Sequence, residues 1–248
     1  MSSVDLQLAA GIATITLNRA DRLNALNVAL AKELAEVATE AAASDAELVI
    51  LTGDGRAFCA GGDAQEMAEA ADRSAYLREL VGEANRAMIA LREIPQPVIA
   101  KINGAVAGAG LGLVLTTDIA VAVDTAKFTP AYGAIGLSPD CGVTVLLGDA
   151  IGARRARDFL LTGRRIDAQT ALDWGLVSST ASAEGLDEAV AEVAAAIRNT
   201  GPLAPTAIKT LLNASGTYAD RLELERASIS SLAGSSFAGA QLEAFVSK

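Results

Sequence analysis

An α/β core followed by a purely helical tail is the fold class this sequence predicts, and three observations predict it. Short apolar segments with strand periodicity alternate with helical stripes through most of the chain. Glycine-rich turns separate the two kinds of segment. From about Gly201-Pro202 onward only helical patterning remains. A chain of 248 residues has room for one large domain, or one domain with a small appendage. The expected division is a core at 1–200 and a helical region at 201–248.

The elements follow in order. Residues 4–8 and 12–17 alternate apolar with polar residues, and Gly11 lies in the turn between them, which predicts two short strands. Asn27 is placed to cap a helix whose apolar face runs Leu30, Leu34, Val37 and Ala41. Residues 48–52 read as a buried strand ended by Gly53-Asp54-Gly55. Asp63 and Glu66 have the spacing of a capping box that opens another helix. Ser74 opens a further helix striped with Leu77, Leu80, Val81, Ala84, Met88 and Leu91, and Pro95 and Pro97 stop it. Residues 98–102 are a strand, 103–112 a glycine-rich segment leading into a helix, and 119–123 a strand. The chain is then turn-rich to Pro139. Helices dominate from Gly142, broken by a strand-like stretch at 175–179. Asp220 with Glu223 signals another helix start, with Leu222, Ile229 and Leu232 on one face.

Composition excludes several classes. Hydrophobic residues make up 51% and charged residues 20%, which is globular. Aromatics are 4%, so the core must be built from Ala, Val, Leu and Ile. A net charge of −10 argues against nucleic-acid partners. The apolar stretch between Lys101 and Asp118 is shorter than the roughly 20 residues of a membrane span and is broken by glycines. The N-terminus carries no basic-then-apolar signal, so a cytoplasmic protein with no membrane partner is expected. In that reducing setting Cys59 and Cys141 are expected as free thiols.

Histidine is absent. No Ser-His-Asp or Cys-His arrangement can be built, and no His-ligated zinc site; no metal is expected. Acid-base chemistry must come from carboxylates, Lys, Tyr or Cys, and polarisation from backbone N–H groups, Arg or Lys.

Three segments fit that short list. Arg56-Ala-Phe-Cys-Ala-Gly-Gly-Asp63 and Asn103-Gly-Ala-Val-Ala-Gly-Ala-Gly-Leu-Gly112 each join a strand to a helix through small residues. Such turns let backbone approach a ligand and leave N–H groups free, so two of them can aim one donor each at a single oxygen. Each taken singly also reads as a plain tight turn. In Ile135-Gly-Leu-Ser-Pro-Asp-Cys-Gly-Val143, Asp140 sits among apolar residues, a partly desolvated carboxylate suited to general-base work. Taken by itself it reads more readily as a cap for the helix beginning near Gly142.

Together these segments resemble the crotonase, or enoyl-CoA hydratase/isomerase, superfamily. Asn18-Arg-Ala-Asp-Arg-Leu-Asn-Ala-Leu-Asn27 is similar to that family's first coenzyme A loop. Residues 57–63 resemble its first oxyanion turn and residues 103–118 its second. Residues 159–163, 168–177 and 207–213 fit family patterns in the same order, so the resemblance covers nearly the whole chain. It implies a crotonase-like spiral of β-β-α units with a C-terminal helical oligomerisation region, forming a homotrimer or a dimer of trimers. It implies an acyl-CoA thioester as substrate, with coenzyme A part of that substrate and no separate cofactor. The oxyanion donors carry over to the amides of Gly62 and Ala109. Ala60, Gly61, Asp63, Ala64 and Gln65 border the thioester and pantetheine, Asp63 as a structural cap. Arg22, Leu23 and Ala25 match the loop over the nucleotide. Lys209 and Lys248 resemble positions near that nucleotide, and Arg154, Arg155 and Arg157 either attract phosphates or form a solvated face.

The departures are informative. The two glutamates with which hydratases of this family add water fall at Gly112 and Tyr132, neither of which is a carboxylate. Asp140 falls where enoyl-CoA isomerases and the ring-opening isomerase of phenylacetate breakdown resemble one another. The expected reaction is therefore a double-bond shift, 3-enoyl to 2-enoyl thioester, with Asp140 shuttling the proton. Tyr132 shapes the acyl pocket or only packs. A hydratase, a thioester hydrolase, a ring-epoxide isomerase and a non-catalytic acyl-CoA binder stand as alternatives. A dinucleotide-binding protein is a further one, although the glycines at 108, 110 and 112 are not spaced as G-x-G-x-x-G behind the strand.

Overall fold

The protein is described from a computed structural model covering residues 2–247. The first hairpin pairs β1 (Val4–Ala9) with β2 (Ile12–Leu17) antiparallel, Val4 facing Leu17 and Ala9 facing Ile12. Helix α1 (Val28–Ala43) starts where predicted, the Asn27 side chain accepting from the Leu30 amide at 2.9 Å. The chain then repeats one theme. It makes β3 (Leu48–Gly53), β4 (Ala57–Cys59), α2 (Ala64–Glu69) and α3 (Arg73–Glu93). Next come β5 (Val98–Ile102), β6 (Ala105–Ala107) and α4 (Ala109–Leu115). A third pass gives β7 (Ile119–Val123), β8 (Lys127–Thr129), a 3-10 turn at Gly133–Ile135, α5 (Val143–Ile151) and α6 (Ala153–Thr162). Then follow β9 (Ile166–Asp167), α7 (Ala168–Trp174), β10 (Ser179–Ala181) and α8 (Leu186–Asn199). Helices α9 (Ala204–Asn213), α10 (Tyr218–Ala233) and α11 (Ser236–Val246) end the chain.

Each pass contributes one strand to each of two sheets. The larger sheet has the order β1-β2-β3-β5-β7-β10, parallel from β2 onward, and the smaller one β4-β6-β8-β9. Both sheets grow in one direction with chain order, which makes the fold a spiral of β-β-α turns. A dinucleotide-binding sheet reverses its order to create a crevice, and this one does not. That alternative is therefore set aside. The core is aliphatic, as the low aromatic content requires: Ile15, Leu17, Leu30, Leu34, Leu48, Leu51 and Leu91 are all fully buried around Phe58, Phe128 and Phe159.

Several elements differ from the sequence-based expectation. The smaller sheet is invisible in the sequence, because its strands are two or three residues long and lack alternation. Helix α3 is capped by Asp72, whose carboxylate accepts from Ala75, and not by Ser74. The stretch at 175–178 is the left-handed end of α7, with Gly175 at φ 85, and pairing begins only at Ser179. Thr217 caps α10, and Asp220 is the return partner of its capping box.

One polar link ties the tail to the core. Lys209 of α9 is 7% exposed, its Nζ 2.7 Å from Asp118 Oδ2 and 3.0 Å from the Gln96 carbonyl. The same Asp118 oxygen accepts from the Val98 amide at 2.7 Å. Beyond α9, helices α10 and α11 bury no residue, and Ile229, Leu242 and Phe245 stand exposed. Lys209→Met should cost about 1–3 kcal/mol, less than loss of a wholly buried pair because Asp118 is partly in water. Urea unfolding monitored by circular dichroism measures that loss.

Candidate active site

The three segments singled out in the sequence meet at one end of the smaller sheet. The turn after β4 and the turn after β6 touch directly. A Cβ placed on Gly61 would lie 3.0 Å from the Ala107 carbonyl oxygen, and one placed on Gly108 would lie 3.4 Å from the Gly61 α-carbon. Both residues also have positive φ, 98 and 50, so glycine serves the turn and the contact together. The Gly62 and Ala109 amides sit immediately beyond this contact. Ala109 is the first residue of α4, where an amide has no partner within the helix. Among the described residues, neither amide donates a turn, loop or side-chain hydrogen bond. Met67 and Leu80 lie over Gly62, since a Cβ there would fall 2.2 Å from the Met67 methyl carbon and 3.8 Å from Leu80 Cδ2.

The loop at 18–27 braces this junction. Leu26 forms a parallel bridge with Gly62, its amide donating to the Gly61 carbonyl at 2.7 Å and its carbonyl accepting from Asp63 at 2.8 Å. The Ala60 amide donates to the Leu23 carbonyl at 3.0 Å. Asn24 is fully buried and donates to the carbonyls of Asp54 (2.9 Å) and Ala57 (2.8 Å). Asn103 donates to the same Ala57 carbonyl at 3.3 Å and to Gly55 at 2.9 Å, so two side chains hold one strand connection from opposite turns. Asp63 caps α2 by accepting from Gln65 and Glu66, both at 3.2 Å, and pairs with Arg19 at 3.0 Å. The reciprocal capping box does not form. The Glu66 carboxylate turns instead to Asn27 (2.7 Å), Tyr76 (2.9 Å) and Arg19 (3.4 Å).

The third segment arrives against α4. A Cβ on Gly112 would lie 2.5 Å from the Cys141 carbonyl oxygen and 2.8 Å from its Cβ. Gly112 is one helical turn from Ala109, about 4.5 Å along the axis, so residues 140–142 enter beside the amide-bearing turn. Asp140 is half-buried, and its side chain caps no helix: α5 is preceded by Gly142 with no side-chain cap, and only the Asp140 backbone carbonyl accepts from Val143. The carboxylate instead accepts the Tyr132 hydroxyl, Oη to Oδ1 2.9 Å. Tyr132 is 8% exposed. Burial above all, and the Asp140 charge after it, push its phenol far above the ordinary tyrosine range, so it remains a donor. Burial likewise pushes the Cys59 thiol up to about 12, and burial followed by the Asp140 charge pushes Cys141 higher still. Neither is a thiolate nucleophile at neutral pH.

The remaining sequence-predicted residues are distributed as follows. Arg22 is exposed and bonds Gln65, exposed on the first turn of α2 beside the equally exposed Ala64. Leu23 is half-buried with φ 53, and Ala25 is 7% exposed. Lys209 is occupied by Asp118, as described, and Lys248 lies outside the described residues. Arg154 and Arg157 are exposed, while Arg155 lies over the Trp174 ring at 5.8 Å. Arg19, Asn24 and Glu66 were missed as organisers of the site. Arg19 and Asn24 fall within the quoted loop motif, but their partners are far along the chain, and no local pattern marks such pairs. Among the described residues no cluster of His, Cys, Asp or Glu is placed to hold a metal ion, and no helix is long and apolar enough to cross a membrane.

A spiral of paired strands leaves the Gly62 and Ala109 amides unpaired, among the described residues, where two turns touch. Consistent with that architecture, the chain belongs to the enoyl-CoA hydratase/isomerase family, the crotonase superfamily, whose model matches residues 7–245. Among its relatives, the 1,2-epoxyphenylacetyl-CoA isomerase of Escherichia coli K12 is 34% identical over 224 residues, 87% of this chain and 84% of that one. The trans-2-decenoyl-[acyl-carrier-protein] isomerase of Streptococcus mutans is 34% identical over 184 residues, 72% and 69% of the two chains. The crystal structure of an enoyl-CoA hydratase from Bacillus anthracis superposes with a TM-score of 0.91 at 31% identity, covering 99% of this chain and 96% of that one. The protein is thus an enzyme of this family.

Gly112→Ala should destabilise the fold by about 1–3 kcal/mol, because the added methyl has to displace the backbone of Cys141. Thermal unfolding of the variant beside Gly148→Ala, where a Cβ meets nothing within 4 Å, checks this.

Proposed function

We propose that the protein is an acyl-CoA isomerase that moves a double bond from the 3,4 to the 2,3 position of an enoyl thioester. The observation that carries this reading is Asp140, a carboxylate that caps no helix and is bonded to Tyr132, on the segment whose next residue, Cys141, packs against α4 one turn from the Ala109 amide. In the proposed reaction the thioester carbonyl oxygen accepts from the Gly62 and Ala109 amides. Asp140 takes the C2 proton, and the C–H electron pair enters a conjugated dienolate whose oxygen charge the amides stabilise. The same carboxyl returns the proton to C4, the double bond settles between C2 and C3, and the carboxylate is regenerated. Nothing is oxidised or reduced, and no water is consumed.

The hydratase alternative is disfavoured by what occupies the two positions where the family carries glutamates. Gly112 has no side chain and the Cys141 backbone fills the space beside it, while Tyr132 presents a protonated phenol already bonded to Asp140. Neither can activate water as a base at neutral pH. Arg22, Leu23 and Ala25 are proposed to cover the nucleotide end of coenzyme A, and Ala60, Gly61, Asp63, Ala64 and Gln65 to border the pantetheine and thioester, with Asp63 supporting through its cap and its pair with Arg19. The exposed apolar side chains of α10 and α11 support assembly of copies through the C-terminal region, as a trimer or dimer of trimers.

Asp140→Asn, assayed with a 3-enoyl-CoA by the absorbance of the conjugated product, should lower kcat roughly 100- to 10,000-fold with the fold intact. Undiminished turnover by that variant excludes the shuttle role. Wild-type hydration of a 2-enoyl-CoA faster than isomerisation would shift the assignment to hydratase.

A further inference from the structure

The carboxylate that carries the proposed reaction lies at the end of an exposed loop, and one buried side chain anchors it. The loop between Pro130 and Gly142 turns outward at residues 133–138, where Ile135 and Leu137 are solvent-exposed. Its base is fixed at three points. Ala131 has a left-handed backbone, φ 65, which turns the chain so that the Tyr132 ring is buried. The Tyr132 carbonyl accepts from the amides of Ile135 (3.1 Å) and Leu137 (3.0 Å), closing the outward turn on itself. Cys141 and Gly142 are two consecutive left-handed residues, φ 51 and 75, with Cys141 packed on Gly112. Those contacts place the Asp140 backbone. They leave its side-chain rotation to the hydrogen bond from the Tyr132 hydroxyl to Oδ1, 2.9 Å, with the Cys141 thiol as a weaker donor beside it.

Resting on the isomerase reading above, we propose that Tyr132 is a positioning residue: its hydroxyl locks the Asp140 carboxylate in one rotamer and turns the other oxygen toward C2 and C4. A proton that leaves one carbon and returns to another two bonds away needs a base that keeps its orientation between the steps. A misplacement of about 1 Å is enough to cost such a transfer roughly 100-fold. The phenol is a committed donor to that carboxylate, because burial keeps it protonated. The titratable groups facing Asp140 are Tyr132 and the buried, protonated Cys141. Among the described residues no Lys or Arg pairs with Asp140, so the phenol is its strongest polar partner.

The test is Tyr132→Phe in the full chain, which retains the buried ring and removes the donor. With a 3-enoyl-CoA substrate, kcat should fall roughly 10- to 100-fold while KM stays within about threefold. In an Asp140→Asn background the same change should have no further effect on rate, since it acts only through the carboxylate. Should Tyr132→Phe fail to fold, site-specific 4-fluorophenylalanine at position 132, which keeps the ring and nearly the size of the hydroxyl but cannot donate, should lower kcat by the same roughly 10- to 100-fold. A folded variant that keeps wild-type kcat, or one that slows the Asp140→Asn enzyme further, overturns the positioning role. An Asp140→Asn enzyme with wild-type turnover removes the isomerase reading itself, and the role of Tyr132 with it.

Discussion

Close approach of two backbone turns is the constraint on which the rest of the structure depends. The Gly61 and Gly108 turns pack with no side chain between them, and both need φ values that glycine adopts without strain. This approach sets the amides of residues 62 and 109 just beyond the point where the two turns touch. The spiral fold makes it possible, because each pass ends a short strand of the smaller sheet beside the end of the previous one. Alternating between two sheets looks wasteful for strands of three residues. Its effect is to stack successive turns, and their free donors, at one edge.

Rigidity at that edge comes from polar side chains acting at long range in sequence. Asn24 and Asn103 reach the same carbonyl of Ala57 from different turns, and Arg19 joins the loop at 18–27 to the start of α2 through Asp63. An amide donor aimed by such a frame needs no reorganisation when charge develops on a bound oxygen, which is where a backbone site outperforms water. Acidic overall charge and the lack of histidine are compatible with this chemistry, since neither the donors nor the proposed base depends on a cationic side chain.

Much of this was legible in the sequence, for identifiable reasons. Strands β1, β2, β3, β5 and β7 of the larger sheet and helices α1 and α3 announce themselves by apolar patterning over five or more residues, and Asn27 by its capping chemistry. The turns at 56–63 and 103–112 stand out as clusters of small residues, and family resemblance ordered them. The smaller sheet was hidden because two- and three-residue strands have no measurable period. The tyrosine–aspartate bond was hidden for another reason: the partners lie eight positions apart, joined across an irregular turn that closes on the Tyr132 carbonyl and has no periodicity to mark it. Glu66 was misassigned because spacing suggests a capping box, whereas its stronger partners come from Asn27 and Tyr76.

The proposed chemistry reduces to one thioester oxygen shared by two main-chain donors with a tethered acid alongside. A crystal structure with an unreactive saturated acyl-CoA bound tests that arrangement most directly. The carbonyl oxygen should sit about 2.7–3.1 Å from the nitrogens of both Gly62 and Ala109, with C2 facing the Asp140 carboxylate. A thioester bound away from those amides, or an Asp140 side chain turned from C2, would contradict it.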